Sequence, residues 1–84
     1  MSKPVAVLND SITNAIDLLI KMYKIREING AKRRLIGNDG QEYFIITDFP
    51  HVDGMEFSDI LVLPNAEFNP NYEYLKELIK VRIR

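Results

Sequence analysis

The 84-residue sequence predicts a small α+β domain in αβββα order, a three-stranded antiparallel sheet packed against two helices. Three observations carry this: helical periodicity over residues 10–27, two apolar runs joined by Gly37-Asn38-Asp39-Gly40, and a second helical period after Pro70. The length suits one domain covering residues 1–84 and is too short for two.

In the first helix, Asn9 or Asp10 is expected to cap the start by accepting an orphan amide proton. At 100° per residue, Thr13, Asn14, Asp17, Lys21 and Lys24 form a narrow polar stripe, and apolar side chains fill the rest of the circumference. Pro4 is tolerated in a first turn, so the helix could begin early; Val5-Ala6-Val7 reads equally as a short strand. Asn29-Gly30 supplies a helix stop. A hairpin follows, with residues 32–36 paired to residues 42–49 across an Asp-Gly turn. Phe44 and Ile46 point one way and Tyr43 and Ile45 the other, which predicts a central strand buried on both faces. Residues 58–63 form a third strand, stopped by Pro64 and Asn65. Pro70 then opens a final helix with Tyr74, Leu75, Leu78 and Ile79 on its apolar side, while the last six residues also alternate like a strand.

Composition excludes several function classes. Without cysteine there is no disulfide framework and no thiolate cage, and the single histidine, His51, removes the common zinc sets. No apolar run reaches the roughly 20 residues of a membrane span, and the first ten residues lack the apolar core of a secretory signal. The expectation is a cytoplasmic protein. Isoleucine, asparagine, lysine and tyrosine supply about a third of the chain, a bias of AT-rich coding DNA. It points toward a low-GC bacterium, an archaeon or one of their viruses, in which case the setting is the host cytoplasm. A chain this short buries only about 60% of its unfolded surface, which favours a second subunit that enlarges the core. The broad apolar face of the first helix, including Leu18, Ile20, Met22 and Ile25, is the expected homodimer contact.

Charge divides the chain into blocks. Residues 1–34 carry seven basic and three acidic side chains, residues 35–75 carry eight acids and no base, and residues 76–84 carry four bases and one acid. One reading interleaves these blocks over the surface, where pairs contribute little. The sharper reading makes residues 48–59 an acidic, aromatic contact loop for a basic protein surface. Its anchors would be Phe49, Val52, Met55 and Phe57, and its charges Asp53, Glu56 and Asp59. Phe49 and Phe57 fit a core equally well.

The function expected from this pattern is a small protein-binding module that modulates a larger assembly, such as an inhibitor or adaptor from a virus or other mobile element. An alternative is a nucleic-acid-binding regulator using Lys24, Arg26, Lys32, Arg33 and Arg34 to neutralise phosphates, with Tyr23 and Tyr43 as stacking neighbours. Against it stand the net charge of −1 and the lack of a nucleic-acid motif. A basic edge strand that resists aggregation explains Lys32, Arg33 and Arg34 as well. The third alternative is a structural subunit of a homo-oligomer. Asp48, His51, Asp53, Glu56 and Asp59 offer metal-type ligands, but their spacing matches no EF-hand or zinc-hydrolase motif. Ser2, Ser11 and Ser58 lack an activating motif, and the four glycines fit turns instead of a phosphate cradle. Neither an enzyme nor a cofactor is expected.

Overall fold

The computed structural model describes residues 3–84, so Ser2 lies outside the described residues. The chain runs β1 (Val5–Leu8), α1 (Ile12–Met22), β2 (Ile25–Asn29), β3 (Arg34–Gly37), β4 (Glu42–Ile46), β5 (Asp59–Val62) and α2 (Tyr72–Lys80). The strands form one mixed sheet in the order β2-β3-β4-β1-β5. β1 lies between β4 and β5 and is parallel to both, whereas β2, β3 and β4 form an antiparallel meander. The α+β class therefore holds, but the sheet has five mixed strands instead of three antiparallel ones, and the first helix sits between strands.

Each departure has a local cause. Val5-Ala6-Val7-Leu8 is too short and too uniformly apolar to show a period, and it becomes a strand because both its faces are covered. Pro4 precedes it and starts no helix. The cap of α1 is Ser11, whose hydroxyl accepts the Asn14 N–H at 3.4 Å; neither Asn9 nor Asp10 takes that place. The helix ends at Met22, well before Gly30, because Tyr23 turns extended and stacks on Tyr43 with ring centroids 5.3 Å apart. Residues 25–29 then pair with β3, and the Asn29 side chain caps a 3₁₀ turn at Gly30–Lys32. The hairpin forms across the expected turn but is shorter than expected, Arg34–Gly37 against Glu42–Ile46, because Lys32 and Arg33 belong to the preceding 3₁₀ turn and Phe49 to the following one. Leu35 pairs with Tyr43 and Ile36 with Glu42, and Gly40 takes φ 86° in the turn.

The sheet separates two apolar layers. On one face, Val7, Tyr43, Ile45 and Leu35 pack against Ala15 and Leu19 of α1. On the other, Ala6, Leu8, Phe44 and Ile46 pack against Leu75 and Ile79 of α2 and against Val52 and Phe57 from the β4–β5 connection. The alternation in β4 thus divides as its sequence predicts. Tyr74 does not join Leu75 and Ile79; it is 71% exposed. After α2 the chain turns, and Ile83 forms a parallel bridge beside Phe57, so the final residues are helix to Lys80 and strand-like at Ile83. No helix among the described residues is long and apolar enough to cross a membrane.

A polar joint closes the carboxyl ends of β1 and β4. The Asn69 amide, almost fully buried, donates to the Asn9 carbonyl at 3.0 Å and the Thr47 carbonyl at 2.9 Å, and its oxygen accepts the Asn71 N–H at 2.9 Å. One side chain thereby ties the approach to α2 onto the sheet. Replacing it strands two carbonyls where water is largely excluded. Asn69→Ala should lower the unfolding free energy by about 2–3 kcal/mol in urea titration, with an unchanged m-value.

Candidate protein-binding site

The connection from β4 to β5 is stapled to the core along most of its length. The Asp48 carboxylate accepts the Phe49 N–H at 2.8 Å, starting a 3₁₀ turn over Phe49–His51. Val52 and Phe57 have no exposed surface, so they are core residues and offer nothing to a partner. Phe57 stacks beside Phe44 with centroids 6.4 Å apart. Phe49 and Met55 are partly buried against the same cluster. Of the acids, Glu56 is engaged by Lys3 at 3.7 Å and Arg84 at 3.1 Å, and the Asp59 carboxylate accepts the Ile60 N–H at 2.7 Å. Asp53 is exposed at the loop tip beside Gly54, whose φ is 73°. The loop thus retains Phe49, Met55 and Asp53 as contact material, and much of its charge is spent within the chain.

The basic cluster is divided. Lys24 and Arg26 flank Ile25 at the start of β2, and Lys32, Arg33 and Arg34 follow its far end; the strand from Arg26 to Asn29 between them spans roughly 10 Å. Arg34 pairs with Glu42 at 3.0 Å, and the Arg33 guanidinium lies over the Phe44 ring at 5.7 Å from its centroid. Arg33 also adopts the left-handed conformation, with φ 57°, as the cap of the preceding turn. Tyr23 and Tyr43 stack on each other.

Of the four apolar residues expected at a dimer contact, Leu18 and Ile25 pack into the α1 layer, while Ile20 and Met22 remain about half exposed. The larger exposed apolar surface lies elsewhere, on the outer flank of α2. Tyr74 on α2 and Val81 at its end are 71% and 68% exposed, and Phe68, in the 3₁₀ turn before α2, is 69% exposed. Tyr74, Leu78 and Val81 fall within about 60° of one another at 100° per residue, on a stripe beside the buried pair Leu75 and Ile79. They line an open groove of about 470 Å³ bordered by Glu73 and Glu77. Phe49 packs edge-on against Tyr74 with centroids 5.6 Å apart, which joins the loop to this surface. Lys76 and Lys80 pair with Glu73 and Glu77 at 3.4 and 4.0 Å. Sequence reading missed Phe68 and Val81 and assigned Tyr74 to the core. The available signal was the width of the apolar arc in α2, too broad for one contact.

His51 is half-buried, and its Nδ1 accepts the Thr47 N–H at 3.2 Å. Burial lowers its pKa below the ordinary histidine value, Arg33 lowers it further, and Asp48 opposes them. Asp48, His51, Asp53, Glu56 and Asp59 do not converge; among the described residues no three such side chains form a metal-sized cluster. No protein family, curated protein or solved structure matches this chain.

Because the folded state lowers the His51 pKa, the unfolded chain takes up that proton first as pH falls. The stability contributed by neutral His51 should be present above about pH 6.5 and lost as pH falls through that value toward the lower, folded-state pKa. Thermal unfolding measured from neutral pH downward should show this decline, and His51→Gln should flatten it.

Proposed function

We propose that this protein is a small protein-binding module whose contact surface is the outer flank of α2, continued by Phe49 of the β4–β5 connection. The observation that carries the reading is the pair of large apolar side chains Tyr74 and Val81, each about 70% exposed along one groove, with the equally exposed Phe68 in the turn that precedes α2. A helix this well anchored by Leu75 and Ile79 needs no such residues on its outside for folding. Exposed apolar patches rimmed by polar groups are the usual mark of an interaction site.

The rim selects the kind of partner. Glu67 flanks Phe68 and Asp53 is exposed on the connection that carries Phe49, while Glu73 and Glu77 border the groove in exposed pairs with Lys76 and Lys80 that a basic partner would compete for. The complementary surface is an apolar side chain flanked by lysine or arginine on another protein. Two copies of this chain meeting groove to groove would instead bring two glutamate-bordered rims together. Compared with the acidic loop expected from sequence, the anchors move to α2, and Asp53 and Phe49 remain from the original set. Modulation of a larger assembly, and an origin in a virus or other mobile element, stay part of this proposal on the strength of composition and small size.

Nuclease-treated affinity capture from a lysate of the native host tests the reading when run with variants. Tyr74→Ala with Val81→Ser should abolish recovery of a stoichiometric protein that the wild type and Ile20→Ser both retain. Tyr74→Ala alone should weaken the purified complex by about 2 kcal/mol, roughly thirtyfold. Equal recovery of the same protein by the folded double variant would remove α2 as the contact.

A further inference from the structure

A second surface, on the opposite side of the sheet from α2, is independent of the groove. β2 is the first strand of the sheet, and among the described residues no strand pairs with its outer edge. Unpaired strand edges expose a row of amides and carbonyls that pair readily with another chain. On the α1 side of the sheet, the side chains beside this edge are apolar, Ile25 and Ile28; Arg26, Glu27 and Asn29 complete the strand. A bulge makes Ile25 pair with Gly37 and Glu27 with Ile36, so Arg26 is an extra residue in β2. The extra residue brings Ile25 and Ile28 onto the same, α1-facing side of the sheet: Ile25 packs into the α1 layer, and Ile28 is 51% exposed.

The helix contributes to the same seam. Ile16 lies against the turn that follows β2, where a Cβ on Gly30 would stand 3.8 Å from the Ile16 Cδ1. Ile20, one turn along the same flank, is 47% exposed. Ile16, Ile20 and Ile28 therefore line the open margin of the sheet on its α1 side.

We propose that β2 pairs antiparallel with β2 of a second copy, making a continuous ten-stranded sheet across a two-fold axis. The occupant follows from charge and register. With the axis at Ile28, each Ile28 faces its copy and Glu27 faces Asn29 of the second copy, so no like charges are opposed. The register one residue earlier would oppose Glu27 to Glu27 and is disfavoured. The bulge and Arg26 shield the first half of the strand, while Glu27, Ile28 and Asn29 stay in regular register with β3 and form the part that pairs. Symmetric pairing closes the edge and covers Ile20 and Ile28 of both copies, whereas an extended peptide would cover the edge and leave α1 uncovered.

The absence of cysteine gives a direct test. Directly opposed residues in an antiparallel pair have Cα atoms about 4.5–5.5 Å apart, within the range a disulfide spans. Ile28→Cys should form a covalent dimer nearly quantitatively under mild oxidation at tens of micromolar, while Val81→Cys under the same conditions should not. By sedimentation, the wild type and Tyr74→Ala should have twice the chain mass, and Ile28→Lys, which places like charges on the axis, the mass of one chain. A wild type of single-chain mass throughout, or an Ile28→Cys variant that crosslinks no faster than Val81→Cys, would overturn the proposal. The cysteine substitution is at a half-exposed position, so the test does not depend on whether Ile28→Lys folds.

Discussion

The rest of the structure depends on the placement of β1. Four apolar residues, Val5 to Leu8, run parallel to both neighbours, β4 and β5. A parallel neighbour cannot be reached through a tight turn, so each connection must cross a face of the sheet. The chain from β1 to β4 carries α1 across one face, and the chain from β4 to β5 crosses the other, where α2 later packs. Ala6, Val7 and Leu8 are fully buried as a result. Covering both faces is what an 84-residue chain needs if a five-stranded sheet is to hold without a disulfide or metal.

That arrangement also determines which surfaces remain for a partner. The β4–β5 connection contributes Val52 and Phe57 to the second layer, and they are unavailable outside it. Two acids near it are likewise occupied, Glu56 by cations from both ends of the described chain and Asp59 by its own strand. α2 is held by the buried Leu75 and Ile79, with Tyr72 and Leu78 partly buried against the same cluster, and its broad apolar arc extends past the core to Tyr74 and Val81. The opposed blocks of charge in the sequence meet within the fold at Glu42, Glu56 and Glu73, and apolar exposure marks the candidate contact better than net charge does.

Elements with strong local signals were legible in the sequence. The hairpin was fixed by the Asp-Gly turn and by alternation in residues 43–46, and α2 by its period after Pro70. β1 was visible only as an alternative because a doubly buried strand has no alternation to display. β2 was hidden because Ile25-Arg26-Glu27-Ile28 continues the helical period without a glycine or proline stop, and the helix ends where Tyr23 turns extended, stacks on Tyr43 and leads into pairing with β3. The candidate site was half legible. Phe49 and Asp53 lie at its margin, but whether an apolar residue faces core or solvent depends on long-range packing. Tyr74 and Leu75 are adjacent in sequence and opposite in fate.

β1 clamps both layers and should be the last part of the sheet to open. Native-state hydrogen exchange measures this directly. The account predicts that the amides of Ala6, Val7 and Leu8 exchange only through global unfolding, with the β2–β3 hairpin opening at a lower free energy. Exchange of the β1 amides ahead of those in β2 and β3 would contradict it.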